Sequence, residues 1–163
     1  MAATSSTFHQ AGVIAYRIQD GKVRVLLMTS RDTGRWIIPR GNIKSGVTPC
    51  RAAEQEAYEE AGVRGTIIGS SPLGMYTYSK KLASGEDRAA TVEVYLLRVE
   101  KRLKKWPERS ERKLSWVSTK EAVRLVEEPG VVPLLRQLME FEDDLANSPR
   151  KPSSESRPPR CPA

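Results

Sequence analysis

The sequence predicts a mixed α/β domain from the order of its strand-like and helix-like segments. Short apolar segments separated by turn residues fill residues 11–38, and a second group fills residues 65–99. Helix-forming residues at 50–61 separate the two groups, and two amphipathic segments end the domain. The chain has 163 residues, of which 39% are hydrophobic, so it can form one domain with a hydrophobic core.

The strands are predicted in chain order from apolar runs and the residues that interrupt them. Strands at 11–18 and 23–28 are joined by Asp20-Gly21, a pair that favours a tight hairpin. Trp36–Ile38 is a short apolar piece stopped by Pro39, and a loop is predicted at 40–49. Later strands are predicted at 65–70, 73–79, 91–99 and 114–117, with a polar loop at 80–88.

Three helices are predicted from composition, capping residues and periodicity. Residues 50–61 are rich in Ala and Glu, and Gly62 is a suitable residue to end the helix. Ser118 or Thr119 caps a second helix that runs toward Val126. Pro133 opens a third helix whose leucines and phenylalanine share one face.

Composition sets the predicted domain limits at a flexible lead-in over residues 1–10, a folded domain over 11–146 and a disordered tail over 147–163. The tail contains five prolines and four serines but no aromatic residue. No apolar run approaches the roughly 18 residues of a membrane span, and the first residues lack a signal-peptide pattern. Two cysteines without neighbouring histidines suggest neither a disulfide framework nor a zinc site. We therefore expect a cytoplasmic protein without a membrane partner.

The formal net charge is +7, and it is unevenly distributed. Four basic residues and one acidic residue give the tail +3, and residues 98–113 hold eight basic and three acidic residues. This basic segment fits a polyphosphate, a nucleic acid or a solvated loop.

Three glutamates crowd one face of the first predicted helix. At about 100° per residue, Glu56, Glu59 and Glu60 lie within an arc of about 100°, whereas Glu54 points elsewhere. Basic residues are missing from the positions three or four residues beyond them, except for Arg64 past the helix end. The pattern predicts a divalent cation such as Mg²⁺; the alternative is a solvent-facing acidic helix without a catalytic role.

The segment from Gly41 to Val63, GNIKSGVTPCRAAEQEAYEEAGV, resembles the signature of the Nudix hydrolase family. The resemblance implies an α/β/α sandwich with a central mixed β-sheet. It also implies Mg²⁺ or Mn²⁺ held by Glu56, Glu59, Glu60 and the carbonyl of Gly41, and hydrolysis of a diphosphate linked to another group.

Two positions depart from that signature, because Val47 and Gln55 stand where the family has a glutamate and an arginine. Those two residues typically pair in the family, so losing both removes a pair without stranding a charge. A binding-only descendant of the fold therefore stays an alternative.

Segments outside the signature, such as Trp106-Pro107-Glu108, look like the branch that acts on diphosphoinositol and diadenosine polyphosphates. We therefore expect a Mg²⁺-dependent pyrophosphohydrolase that cleaves a phosphoanhydride bond in such a highly anionic small molecule. The alternatives are an RNA 5′-pyrophosphohydrolase, a catalytically weak Nudix-fold protein, and a nucleic-acid-binding module. The oligomeric state is open.

Candidate catalytic and substrate-binding residues complete the sequence prediction. Glu59 and Glu60 are candidate general bases, and Glu93 is a third because its charge interrupts an apolar strand. Arg40 is the first choice for forking onto phosphate oxygens. Further candidates for substrate binding are Arg31, Arg35, Tyr76, Tyr78, Lys80 and Arg88.

Overall fold

The computed structural model describes residues 7–147, so the predicted tail beyond Asn147 and the first six residues of the lead-in lie outside the described part. The strands are β1 (Phe8–Gln19), β2 (Lys22–Thr29), β3 (Trp36–Ile37), β4 (Arg40–Asn42), β5 (Val63–Ile68), β6 (Gly74–Lys81), β7 (Asp87–Arg102) and β8 (Leu114–Ser118). The helices are α1 (Pro49–Ala61), α2 (Thr119–Leu125) and α3 (Val132–Asn147), with short 3-10 helices at Arg109–Glu111 and Pro129–Val131.

The sheet is mixed, as expected, and β1 and β7 form its parallel centre. They pair from Phe8 opposite Ala90 to Tyr16 opposite Arg98. The other edge of β1 pairs antiparallel first with β4 and then with β2, which in turn pairs with β3 and β8. The other edge of β7 pairs with β6 and then with β5. Each of the two long strands therefore pairs with two shorter strands along one edge.

Helices cover both faces of the sheet, which confirms the expected sandwich. Alternate residues of a strand point to opposite faces. Accordingly, Val13 and Ala15 of β1 pack in the core beneath α1, whereas Ile14 and Tyr16 pack in the core beneath α2 and α3. The alanines of α1 are buried against the sheet, and their small side chains let this helix lie close to it.

The hairpin and the helix ends follow the sequence prediction closely. Asp20 and Gly21 both have positive φ, and the described backbone holds no other non-glycine residue of that kind. Thr48 caps α1, and Gly62 ends it in the left-handed conformation with φ 66°. Ser118, rather than Thr119, caps α2 and accepts a hydrogen bond from the Glu121 N–H at 3.1 Å.

Several boundaries differ because pairing extends a strand past its apolar run. Strand β1 begins at Phe8, so residues 8–10 of the predicted flexible lead-in belong to the sheet. The predicted loop 40–49 begins with strand β4, and the predicted loop 80–88 shortens to a turn between β6 and β7. Residues 98–102 of the basic segment are strand. Within residues 7–147, no helix has the length and apolar character of a membrane span.

Candidate active site

Glu56 lies against the backbone of β4 at Gly41. A side chain at Gly41 would meet this carboxylate, since a Cβ built there lies 2.5 Å from Glu56 Oε1 and 2.7 Å from Oε2. Burial, followed by the like charge of Glu59, raises the pKa of Glu56. Gly41 therefore leaves space for a carboxylate that is costly to ionise in the protein alone.

Glu60 is the buried glutamate of the cluster, and donors hold both of its oxygens. Oε1 accepts the Arg40 backbone N–H at 3.0 Å, and Oε2 accepts Arg112 Nη2 at 3.3 Å. Burial nevertheless raises the pKa of Glu60 to about 8, because it outweighs the attraction of Arg112 and the like charge of Glu56 adds to it. Both carboxyls meet neighbouring residues of β4, Glu56 at Gly41 and Glu60 at the Arg40 N–H.

Arg112 connects this cluster to the strand on the other side of the site. Its guanidinium donates to Glu108 at 2.9 and 3.0 Å and to the carbonyl of Thr29 at 3.0 Å. The helix itself offers Glu60 no basic partner three or four residues on, but Arg112, 52 residues away in sequence, provides one. Arg31 also lies 4.0 Å from Glu108, so Glu108 is between two arginines, whereas Glu60 pairs with Arg112.

The segment that carries Arg112 is fixed to the end of α1. The Trp106 indole N–H donates to the Glu60 carbonyl at 3.2 Å, and the Glu108 N–H donates to the Glu59 carbonyl at 3.0 Å. The Trp106 ring also covers Gly62, where a Cβ would lie 2.3 Å from ring carbons. These contacts give a structural role to the Trp-Pro-Glu segment noted in the sequence.

Glu59 points toward Gln55 on the same helix, and its carboxylate accepts a hydrogen bond from the Gln55 amide. The neutral residue in place of the signature arginine is thus a hydrogen-bond partner of a predicted ligand. Val47, in place of the signature glutamate, is 39% exposed. Its exposure explains how an apolar residue is accommodated at that position without a buried unpaired partner.

Glu93 lies on the face of the sheet that α1 covers. Its neighbours Val92 and Val94 pack in the opposite core, whereas Tyr95 packs beneath α1. In the register, Gly41, Ala11 and Glu93 lie side by side on three adjacent strands, so the Cα atoms of Gly41 and Glu93 are roughly 10 Å apart. The Glu93 carboxylate accepts the Tyr95 hydroxyl at 3.1 Å. The inward alternative for Glu93 is consistent with this placement, and its catalytic role stays a prediction.

The side chain of Arg40 points to the opposite face, away from α1. Arg40 Nη2 lies 2.6 Å from Glu128, Nε donates to the same carboxylate, and Nη1 donates to the Tyr78 hydroxyl at 2.8 Å. Burial lowers the pKa of Arg40, but the hydrogen bonds and charge of Glu128 outweigh it and raise the pKa above its ordinary value. This corrects the prediction that the Arg40 guanidinium binds phosphate oxygens, because its Nε and Nη2 already donate to Glu128.

Tyr76 and Tyr78 belong to the same network beside Arg40. The Tyr76 hydroxyl donates to Glu128 at 2.8 Å, and the Tyr78 hydroxyl donates to Gln10, whose amide donates to Asn42. The Tyr78 ring also stacks with the Arg40 guanidinium at 4.1 Å. Their alternation puts both tyrosines on one face, as predicted, but their partners are protein groups, which favours the packing alternative for Tyr76, the more buried of the two.

Of the four remaining predicted substrate residues, Arg31 and Arg35 are exposed, whereas Lys80 and Arg88 are half-buried. Arg31 donates to Glu111 at 3.2 Å, which lies on the Arg112 side of the site, and Arg35 donates to Thr33 at 3.1 Å within its own loop. Lys80 and Arg88 lie opposite each other at the end of the β6–β7 hairpin, both over the ring of Phe8. The structure therefore does not assemble one pocket from all the predicted residues.

A divalent cation fits the donors at α1 without a complete protein cage. Residues 7–147 hold no set of three or more carboxylate, histidine or cysteine groups arranged to enclose a metal ion. Mg²⁺ commonly uses one or two carboxylates and completes its shell with water and substrate phosphates. Glu56 and Glu60 supply two adjoining carboxyls, both with raised pKa, that a cation would stabilise in the ionised form.

Sequence reasoning missed Arg112 and Glu128, the two residues that organise the two faces. Arg112 was counted within the basic segment, and nothing local distinguished it from its neighbours. Glu128 follows an adjacent glutamate, Glu127, whose carboxylate accepts the Trp36 N–H. Only the long-range pairing of the chain separates the roles of these neighbours.

The structure is thus an α/β/α protein whose mixed sheet lies between helices, with a helix that presents glutamates to a glycine-containing strand. The NUDIX domain family model matches residues 8–139. The chain therefore belongs to the Nudix hydrolase family, and the sequence resemblance is confirmed.

Relatives of known name lie at moderate distance. The chain is 31% identical to Nudix hydrolase 12, mitochondrial, of Arabidopsis thaliana over 126 residues, which cover 76% of this chain and 62% of the relative. It is 29% identical to human diphosphoinositol polyphosphate phosphohydrolase 3-beta over 120 residues, covering 72% and 68%. The chain thus spans less than two thirds of the length of Nudix hydrolase 12.

Solved structures support the fold. An Ap4A hydrolase from C. elegans in a binary complex aligns with a TM-score of 0.62 and 22% identity, covering 83% of this chain and 97% of that one. The NUDIX domain of Shewanella oneidensis NrtR, solved with ADP ribose, gives a TM-score of 0.64 at 14% identity, covering 84% and 91%.

Proposed function

We propose that the protein hydrolyses a phosphoanhydride bond in a highly anionic small molecule, such as a diphosphoinositol polyphosphate or a dinucleoside polyphosphate. One observation carries the proposal: the Glu56 and Glu60 carboxyls adjoin beside Gly41, and burial raises the pKa of both. Carboxyls whose pKa is shifted by burial and neighbouring charges are typical of functional sites, and a bound cation would stabilise their ionised form. The relatives named for diphosphoinositol polyphosphates support the substrate class.

Glu56 and Glu60 are the residues we assign to Mg²⁺ or Mn²⁺, with Glu59 and the Gly41 carbonyl as further predicted ligands. A bound divalent cation withdraws charge from phosphoryl oxygens and lowers the pKa of a coordinated water. Arg112 and the Arg40 N–H fix the Glu60 carboxylate from two directions. This fixation preserves the position of Glu60 when the charge on it changes.

Glu59 and Glu93 remain candidate bases for the attacking water. Glu59 is held by Gln55 and Glu93 by Tyr95, so each has a neutral donor and spare acceptor capacity. A general base contributes on the order of 10²–10⁴-fold to a rate. Replacement of each by Gln, with the metal affinity measured in parallel, distinguishes a base from a ligand, since only a ligand changes both quantities.

The test is hydrolysis of a panel comprising a diphosphoinositol polyphosphate, diadenosine polyphosphates and an RNA with a 5′-triphosphate, with and without Mg²⁺. Products are identified by ³¹P NMR. We expect metal-dependent turnover, and loss of most of it in Glu56→Gln and Glu60→Gln. Glu54→Gln is the matched control, because Glu54 is on the same helix but lies within 3.8 Å of Arg51, outside the cluster.

Retained turnover in Glu60→Gln would contradict the metal-site assignment. Hydrolysis of the RNA 5′-triphosphate, and of no other substrate in the panel, would favour the RNA 5′-pyrophosphohydrolase alternative. Binding of substrate without turnover in the unmodified protein would favour the binding-only alternative. We also propose a cytoplasmic location, which fluorescence of a tagged full chain tests directly. Arabidopsis relatives named mitochondrial make a mitochondrial signal the informative contrary result.

A further inference from the structure

A second cleft opens where the central strands separate. Strands β1 and β7 pair up to Tyr16 and Arg98, after which β1 continues with β2 and β7 continues with β5. The cleft between them has a volume of about 680 Å³ and is lined by Arg17 and Ile18 of β1 and by residues 98–102 of β7. That volume is within the range of about 300–1,000 Å³ typical of small-molecule sites.

The lining is strongly basic. Four of its residues are the cations Arg17, Arg98, Lys101 and Arg102. Within residues 7–147, none of these four forms an ion pair with a carboxylate. The single acidic residue of the lining, Glu100, accepts a hydrogen bond from the Thr66 hydroxyl at 2.8 Å. Within the part of the chain that the structure describes, the positive charge of the cleft is therefore not balanced by ion pairs.

Arg17 shows the consequence of this imbalance most directly. Its guanidinium stacks on the Trp116 ring at 4.8 Å and donates to Gln19, while its Nε is buried without a hydrogen-bond partner. Burial, followed by the charge of Arg102, lowers the pKa of Arg17. Like charges held close together in a concave site attract an anion.

This cleft is separate from the carboxylate cluster. The register Ala11–Glu93 marks the level of Gly41, and Tyr16–Arg98 marks the start of the cleft, five residues further along. At about 3.3 Å per residue, the two levels are roughly 17 Å apart. None of the residues assigned to the metal or to the reaction lines the cleft.

We propose that this basic cleft binds a small anion that carries a chain of phosphates, at a site distinct from the hydrolytic one. Cations contributed from two strands suit a ligand with several charges better than one with a single charge. Arg17 covers the Trp116 ring, so the cleft lacks a stacking platform for the bases of a nucleic acid. The proposal stands independently of the proposed hydrolysis.

The probe is inorganic tripolyphosphate, titrated into the ¹⁵N-labelled full chain with EDTA present and followed by NMR and calorimetry. We expect the largest amide shift changes at residues 17–18 and 98–102, and binding at least about tenfold tighter than that of orthophosphate at equal ionic strength. Tenfold corresponds to about 1.4 kcal/mol, less than one hydrogen bond between charged groups contributes at best. Shift changes confined to residues 41–60 would overturn the proposal.

Two variants with the same change in net charge sharpen the test. In the first, Arg98, Lys101 and Arg102 become Gln; in the second, the exposed residues Lys104, Lys105 and Lys120 become Gln. We expect the first to bind tripolyphosphate at least about tenfold more weakly and the second to change by less than about threefold. Equal losses would mean general electrostatic attraction, and tight binding of single-stranded RNA without tripolyphosphate binding would mean a nucleic-acid surface; either result rejects the proposal.

Discussion

Buried charged groups are paired differently on the two faces of the sheet, at nearly the same position along the strands. Beneath α1, Glu60 and Glu108 pair with Arg112, and Glu108 also lies 4.0 Å from Arg31, yet burial raises the pKa of Glu60 to about 8. On the other face, Arg40 and Glu128 form a buried pair, and two tyrosine hydroxyls donate to or accept from its groups. The first arrangement leaves buried carboxyls with raised pKa values, whereas the second pairs its buried charges within the protein. Arg40 connects the two faces, because its backbone N–H donates to Glu60 and its guanidinium donates to Glu128.

The largest effect on stability is expected when Glu128 is removed. Glu128→Ala leaves the buried Arg40 guanidinium without its anion, and loss of one partner of a buried pair costs about 3–5 kcal/mol. We expect that decrease in the free energy of unfolding, measured by urea denaturation. Glu127→Ala is the control, since its exposed carboxylate accepts a single backbone N–H and its loss costs about 1 kcal/mol. Equal costs for the two variants would mean that the Arg40 network is not the more tightly coupled region.

A smaller effect, on activity, is expected when the space beside Glu56 is filled. Gly41→Ala places a Cβ against the Glu56 carboxylate, which is the movable end of a flexible side chain. Stability should therefore change little, while displacement of the carboxylate by about 1 Å lowers kcat/KM on the order of 100-fold. Turnover and urea denaturation are measured on the same samples, and unchanged turnover contradicts the placement of Glu56 in the site.

The pH dependence of the free energy of unfolding, measured without metal, tests the raised pKa of Glu60 on the α1 face. The pKa of Glu60 is raised from its ordinary value to about 8, so the folded state binds the proton more tightly than the unfolded state does. The stabilisation is full below the unfolded pKa and is lost as the pH rises toward 8, with a slope of at most about 1.4 kcal/mol per unit. Urea denaturation in EDTA from pH 5 to 8 should show this decline, and Glu60→Gln should flatten it; an identical slope in the variant contradicts the assignment.

The smallest expected effect concerns the residue that departs from the family signature. Gln55→Ala removes one exposed hydrogen bond to Glu59, so we expect about 0.5 kcal/mol or less in the free energy of unfolding. Turnover should change by less than about threefold. A much larger loss of turnover at unchanged stability would identify Gln55 as the residue that positions Glu59.

Patterns among residues close in sequence predict much of the fold and part of the candidate site. The Asp20-Gly21 hairpin, the cap at Gly62 and the carboxylate face of α1 depend on neighbours in sequence, so they were predictable. Strand β4 was missed because its three residues form a strand only through pairing with β1. Arg40 was assigned to the right region but to the wrong partner, since the sequence gives no indication that Glu128 lies beside it.

The family and the helix that carries Glu56, Glu59 and Glu60 are predictable from sequence, because both depend on residue types at fixed short spacings. Tertiary structure sets which charges are neutralised, because Arg112 reaches Glu60 and Glu128 reaches Arg40 only after strands distant in sequence have paired. It also opened the basic cleft, because β1 and β7 part at Tyr16 and Arg98 to take different partners. Charge balance at a buried site depends on distance and burial, and both are properties of the folded chain.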